Sequence, residues 1–227
     1  MAITIIGTSH IAKESVEEIK NAIENKKPDI VAVELDVQRA SGLLRHQKTS
    51  VSMKDIVKIG VKGFVFVKVG QFVQGKLGQL VGSDPGSEMR TAILEAKKRQ
   101  LIVAFIDQPI QKTLQEFSKS LSWKERFQFA GDIVKGIFSG KKQLQELGLD
   151  KVDLKKVPST ELVEKMMKKL KDDYPNVYKT LVDDRNRYMV KQLVKLTKSY
   201  PEKNILAVVG AGHKKGMEEL LLRVEIV

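Results

Sequence analysis

The 227-residue chain contains no cysteine, and aromatic residues make up only 6% of it. Without thiols the protein cannot form disulfides, cysteine zinc sites, thiolate nucleophiles or iron–sulfur clusters, so any bound metal must be held by nitrogen and oxygen. The formal net charge of +12 would suit an anionic partner. Nucleic-acid modules, however, interleave aromatic rings with their basic residues, and this chain does not, so we do not expect nucleic acid as a partner.

Long apolar runs are also missing. The apolar residues 3–6 are too few for an export signal. Within residues 54–82, lysines interrupt every run that would be long enough to cross a bilayer. This segment instead predicts one or two basic amphipathic helices, which would form a flap on the core, contact a second subunit or lie on a membrane surface.

Short apolar, β-branched runs alternate with helical patterns along the rest of the chain, which predicts an α/β fold with a parallel-type central sheet flanked by helices. A hydrophobic content of 42% is enough for one core, so we expect a single domain over residues 1–227. The predicted strands are residues 3–6, 30–33, 101–106, 204–209 and a final one at 223–227. The predicted helices are one that begins at the capping box Ser15-Val-Glu-Glu18 and ends before Pro28, one at about 88–99 and one at 216–222.

Two long helical insertions, at about 51–85 and 111–200, interrupt this core. The second contains amphipathic helices predicted at 161–171 and 181–198. Such helices would cover the site or join two subunits, so a homodimer is expected, although a lid would leave the same pattern.

A polar side chain follows each of the first four predicted strands. His10 follows the first, Glu34 and Asp36 the second, Asp107 the third and His213 the fourth. The carboxyl ends of parallel strands meet at one edge of a sheet, so these side chains are expected to converge there. Because both histidines occur in a Gly-x-x-His pattern after an apolar strand, we predict that His10, Glu34 and His213 bind a metal.

Imidazoles and a carboxylate suit a divalent ion such as manganese, cobalt or zinc, whose open position would hold an activated water molecule. Glu88 or Asp107 would then serve as general base. Arg39, Arg90 or Arg185 would stabilise an oxyanion or bind a substrate carboxylate.

Structural alternatives stay open at these positions. His10 and His213 would be hydrogen-bonded structural residues. Glu34 would cap a turn, and Asp107 would form a turn before Pro109. His46 lacks the Gly-x-x-His context and is predicted to lie on the surface. Neither a dinucleotide or triphosphate loop nor the Gly-x-Ser-x-Gly elbow of serine hydrolases is present.

Several motifs, taken in order, resemble the TraB/PrgY family from end to end. They are Gly7-Thr-Ser-His10, Val31-Ala-Val-Glu-Leu-Asp36, Gly86-Ser-Glu-Met89, Asp184-Arg-Asn-Arg-Tyr-Met189 and Val209-Gly-Ala-Gly-His213. The PrgY branch is associated with the shutdown of peptide sex pheromones. The wider superfamily is similar to the Tiki metalloproteases, the erythromycin esterases and the haem-binding ChaN proteins.

The resemblance implies a metal-dependent hydrolase, most readily a peptidase, with His10, Glu34 and His213 in its site. Its further motif positions, which would support the ligands or face the substrate, map onto Glu88, Arg185 and Asn186. This chain departs from the family after Asp107, where an arginine is usual, so no substrate contact is carried over there. The alternative is a non-catalytic protein that sequesters a peptide or haem in the same pocket.

Some archaeal relatives continue into a membrane-spanning C-terminal region. The resemblance therefore implies a cytoplasmic domain or the soluble part of a membrane-tethered protein.

Overall fold

The structure is a computed structural model that describes residues 2–8, 13–45, 86–120 and 160–224, together with Ser122, Lys124, Glu125 and Gln128. In this part of the chain, parallel strands form one sheet in the order β1-β4-β2-β3. The strands are β1 (Ile3–Thr8), β2 (Ile30–Val33), β3 (Ile102–Phe105) and β4 (Ile205–Gly210).

Helices connect the strands and cover both faces of the sheet. They are α1 (Lys13–Lys26), α2 (Val37–Leu44), α3 (Ser87–Lys98), α4 (Ile110–Ser120), α5 (Thr160–Asp173), α6 (Pro175–Tyr178), α7 (Asp184–Ser199) and α8 (Ala211–Val224). A π-helical turn, Lys179–Asp183, joins α6 to α7 without a break. Local chemistry fixes the start of α2, because the Asp36 side chain accepts hydrogen bonds from the backbone amides of Gln38 and Arg39 and so caps the helix.

The hydrophobic core has two halves, one on each face of the sheet. On one face, Ile19 and Ile23 of α1 and Ile93 of α3 pack against β2 and β4. On the other face, Met189 and Leu193 of α7 and Met217 of α8 do the same. β2 and β4 are central and buried on both faces, which explains why their sequences are uninterrupted apolar runs. The edge strands β1 and β3 are only partly buried.

The predicted fold class and the first four strands are confirmed. The predicted strand at 223–227 is wrong where the structure describes it, because α8 continues through Val224. The predicted helix at 216–222 is also too short. α8 begins directly after β4, so His213 lies in its first turn and not in a loop.

The predicted insertion at about 51–85 lies outside the described residues, as does most of 121–159. Within the second predicted insertion, the helix expected at 161–171 is present as α5. The helix expected at 181–198 is present as the last part of the π-helical turn followed by α7. Because α7 packs directly on the sheet, it belongs to the layer that covers the core.

Candidate functional site

Polar side chains gather at the carboxyl edge of the sheet, where β2, β4 and β3 end beside one another. Glu34 follows β2, and its Oε2 accepts a hydrogen bond of 2.7 Å from the backbone amide of Gly210 at the end of β4. Asp107 follows β3 and is held by its neighbour, since Oδ1 accepts from the Gln108 amide at 2.8 Å. Both carboxylates are buried, with side-chain exposures of 5% and 0%.

Arg185, in the first turn of α7, is the centre of this cluster. Its Nη2 donates to Glu34 Oε1 and, at 2.7 Å, to Asp107 Oδ2, while its Nε donates to Asp107 Oδ1 at 3.2 Å. Its Nη1 donates to the carbonyl of Leu181, inside the π-helical turn, at 3.2 Å. One buried guanidinium therefore joins the ends of two strands to a helix.

The charge of Arg185 is fixed by these partners. Burial alone would lower the pKa of its guanidinium, but the negative charges of Glu34 and Asp107 outweigh burial and raise that pKa further above its ordinary value. The site therefore contains a permanent positive charge at every accessible pH.

His213 contacts the same cluster through one ring nitrogen and Asn186 through the other. Its Nε2 lies 3.0 Å from Arg185 Nη1, and its Nδ1 lies 2.7 Å from Asn186 Oδ1. Arginine has only donors and so uses the lone pair of Nε2, while the Asn186 oxygen accepts at Nδ1, so these two partners together assign the proton of the neutral ring to Nδ1. The same Nε2 is 3.2 Å from Glu34 Oε1, so a protonated Nε2 would have a carboxylate oxygen within hydrogen-bonding distance.

Asp36 and Arg39 extend the network toward α2. Arg39 Nε donates to Asp36 Oδ2 at 2.7 Å, and its Nη2 donates to Asp107 Oδ2. Burial would raise the pKa of Asp36, but hydrogen bonds from the backbone and side chain of Arg39 and from the Gln38 amide lower it below its ordinary value. Asp107 thus receives hydrogen bonds from two arginines.

The remaining predicted site residues are placed as follows. Glu88 lies almost fully buried in the first turn of α3, on the face of the sheet that α1 also covers. His10 and His46 lie outside the described residues, so the roles predicted for them stay predictions. β1, which leads to His10, comes close to α8, since a Cβ on Gly7 would lie 3.1 Å from the Cα of Ala211.

The sequence predicted that Arg185 and Asn186 would support the metal ligands or face the substrate. It did not predict that Arg185 would bond to Glu34 and Asp107 directly, or that Asn186 would bond to His213. The π-helical turn was also missed, and no pattern in residues 179–183 signals it. A signal did exist for Asp36, because aspartate is a preferred residue at the N-cap of a helix.

The side chains that the structure describes do not fit a resident divalent ion in this arrangement. Glu34 Oε1 and His213 Nε2 are close enough to share an ion, but the Arg185 guanidinium bonds to both atoms and would repel a second cation there. Within the described residues, no group of three or more histidines and carboxylates is arranged to hold a metal. A metal at these atoms requires Arg185 to withdraw.

The chain is similar to known proteins along nearly its whole length. A sequence model of the TraB/PrgY/gumN family matches residues 1–225. The chain belongs to this family. It is 35% identical over 226 residues to an uncharacterized protein of Methanocaldococcus jannaschii, an alignment that covers 98% of this chain and 54% of that protein. It is 24% identical over 239 residues to the TraB domain-containing proteins of mouse and human, covering 95% of this chain and 61% of theirs.

The chain thus spans only about half to three-fifths of the length of these curated relatives. Among solved structures, it is similar to a mutant erythromycin esterase in its open conformation, with 16% identity and a TM-score of 0.35 over 92% of this chain and 60% of that one. In the part of the chain that the structure describes, no helix has the length and apolarity to cross a membrane.

Proposed function

We propose that this domain is a hydrolase that cleaves a peptide, or a related amide or ester, at the carboxyl edge of its sheet. The observation that carries the proposal is the position of His213 Nε2, a hydrogen-bond acceptor that lies 3.0 Å from Arg185 Nη1 and 3.2 Å from Glu34 Oε1. A basic nitrogen, a carboxylate and a fixed cation in mutual contact are what proton transfer and oxyanion stabilisation require.

In this proposal His213 is the general base. When a substrate carbonyl binds, Arg185 Nη1 turns from Nε2 to the carbonyl oxygen, which frees the Nε2 lone pair for a water molecule. As that water attacks the carbonyl carbon, Nε2 takes its proton, and the imidazolium that results donates to Glu34 Oε1. The imidazolium then gives the proton to the leaving amine or alcohol as the scissile bond breaks, which restores the base.

Burial of the cluster supports this reading. Taking several charges out of water is costly, and a buried ion pair is weak evidence for stability because apolar residues often serve as well. Titratable groups in mutual contact at a strand edge are instead a common feature of catalytic sites.

The test is hydrolysis of a peptide library and a set of chromogenic esters by the wild type and by His213→Gln, Glu34→Gln and Lys203→Met. We expect kcat/KM to fall by about 100-fold or more in the first two variants, as loss of a general base usually gives. Lys203→Met, at the opposite edge of the sheet, is the matched control and keeps wild-type activity. Absence of turnover of every substrate by the wild type, with and without added metal, would overturn the proposal in favour of a ligand-sequestering protein.

The same assay tests the predicted need for manganese, cobalt or zinc. We expect activity to survive dialysis against a chelator, with no bound metal found by elemental analysis, because Arg185 supplies the positive charge. Activity that appears only with an added divalent ion, and metal binding that is lost in His213→Gln, would restore the metal-dependent mechanism.

A further inference from the structure

Gly216, in the middle of α8, faces Asn186 of α7 across a very short gap. A Cβ built on Gly216 would lie 2.5 Å from Asn186 Nδ2, closer than real Cβ atoms come to any heavy atom. Gly216 has no positive φ, so its backbone conformation does not require glycine. Glycine inside a helix is destabilising relative to alanine, so its presence here needs another reason.

The reason lies in what Asn186 does. Asn186 is 2% exposed, and its Oδ1 accepts the Nδ1 proton of His213 at 2.7 Å. His213 and Gly216 are three residues apart on α8 and so lie on the same side of the helix, the side that Asn186 faces. Any side chain at position 216 would push the amide away from the imidazole.

We propose that Gly216 is a positioning residue for His213, acting through Asn186. By leaving room for the amide, Gly216 keeps the imidazole proton on Nδ1 and the lone pair on Nε2, toward Glu34 and Arg185. The use of that lone pair in catalysis rests on the proposed function, but the tautomer itself does not and can be measured without any substrate.

Gly212 in the same helix provides a matched control. A Cβ on Gly212 would lie 3.0 Å from the Sδ of Met167 and 3.2 Å from its Cε. A methionine side chain is flexible and unbranched, so it can move aside at small cost. Gly212→Ala therefore makes the same chemical change in the same helix without touching Asn186.

The first measurement is the tautomer of His213 from long-range 1H–15N spectra at alkaline pH, where a free imidazole is neutral, with signals assigned by His213→Gln. We expect the proton on Nδ1 in the wild type and in Gly212→Ala. In Gly216→Ala and in Asn186→Ala, the Nδ1 proton loses its acceptor while Glu34 Oε1, 3.2 Å from Nε2, can accept a proton there, so we expect a substantial share of the other tautomer. A ring that keeps its proton on Nδ1 in both of these variants would overturn the proposal.

The second measurement is the urea midpoint of unfolding in a double-mutant cycle. Gly216→Ala should lower the midpoint in the wild-type background but raise it in the Asn186→Ala background, because the clash is gone and alanine is the better helix former. A fall of equal size in both backgrounds would mean that Gly216 serves packing unrelated to Asn186 and would contradict the proposal. If Gly216→Ala does not fold alone, the double variant and Asn186→Ala still decide the point.

The experiments distinguish failure of the proposed hydrolase function from failure of the positioning role of Gly216. If the wild type hydrolyses nothing but the tautomer responds as expected, the hydrolase proposal fails and the positioning role stands. If the wild type is active, kcat should fall in Gly216→Ala and stay unchanged in Gly212→Ala. An unchanged kcat in Gly216→Ala, together with an unchanged tautomer, overturns the positioning role alone.

Discussion

The two edges of the same sheet carry similar side chains in opposite surroundings. At the amino edge, Asn204 donates its backbone amide to Asp29 at 2.8 Å, and Lys203 lies 3.6 Å from Asp29 with both side chains 40% exposed. At the carboxyl edge, Arg185 and Asp107 form a shorter ion pair at 2.7 Å, and the aspartate side chain has no exposed surface. The first pair is exposed to solvent, whereas the second is buried inside the protein.

The difference shows how burial changes what a charged pair contributes to stability. An exposed pair contributes between about 0 and 1 kcal/mol to stability, because water solvates both charges whether or not they pair. In a buried pair the attraction must offset the desolvation of both ions. Loss of one partner leaves the other charge buried and unpaired, which strongly lowers the free energy of unfolding. The charges at the carboxyl edge therefore depend on one another, whereas those at the amino edge do not.

The largest expected effect comes from removing the central cation. Arg185→Met should lower the free energy of unfolding by about 3–5 kcal/mol, because Glu34 and Asp107 stay buried without their common partner. Urea denaturation followed by circular dichroism measures it. Lys203→Met is the control, with an expected loss below about 1 kcal/mol. Equal losses in the two variants would abolish the contrast between the edges.

A smaller effect is expected from neutralising Asp107. Asp107→Asn keeps the shape of the side chain but weakens its hydrogen bonds from Arg185 and Arg39, so the free energy of unfolding should fall by about 2–3 kcal/mol. Asp29→Asn at the amino edge should change it by less than about 1 kcal/mol. An unchanged free energy of unfolding in Asp107→Asn would mean that the negative charge of Asp107 is not needed to hold the two arginines.

The pH dependence of stability should sharpen the comparison. Hydrogen bonds lower the pKa of folded Asp36, so on acidification the unfolded chain takes up this proton first. The stability that Asp36 contributes is therefore complete above its ordinary pKa of about 3.9 and is lost as pH falls through the lower folded-state value. Asp36→Asn should flatten the decline of the urea midpoint below about pH 4 while keeping the α2 cap, since asparagine caps equally well. An unchanged decline would contradict this assignment.

The smallest expected effect is the coupling between Asp29 and Lys203. A double-mutant cycle on this pair should give a coupling free energy below about 1 kcal/mol, and 1 M salt should remove most of it. The same cycle on Asp107 and Arg185 should give a several-fold larger value that salt barely changes. A large, salt-resistant coupling at the amino edge would show that exposure does not separate the two edges.

The parts of the fold that depend on local pattern were predictable from the sequence. β2 and β4 read as strands because a central parallel strand is apolar on both faces, and Glu34 and Asp107 were expected at one edge because parallel strands end together. The structure does bring Glu34, Asp107 and His213 into one cluster. Their catalytic or metal-binding roles stay predictions.

The parts that depend on tertiary packing were not predictable. Residues Gly210, Gly212 and Gly216 weaken the helical signal, yet α8 begins at Ala211 because it packs against β1, α5 and α7. The final residues are β-branched and suggested a strand, but Arg223 and Val224 continue α8. Likewise, no local pattern places a guanidinium from residue 185 between side chains that precede it by 151 and 78 positions.

The π-helical turn that precedes Arg185 acts as a one-residue insertion that changes the phase of a long helix. Buried Val177 and Val182 are five residues apart across the turn, whereas Met189 and Leu193, further along, are four apart. Removing one residue there would let α6 and α7 run as one regular helix, but one half would be rotated by about 100° relative to the other. Either α6 would leave its packing or Arg185 would swing away from the sheet, so the length of this segment, and not only its composition, is under constraint.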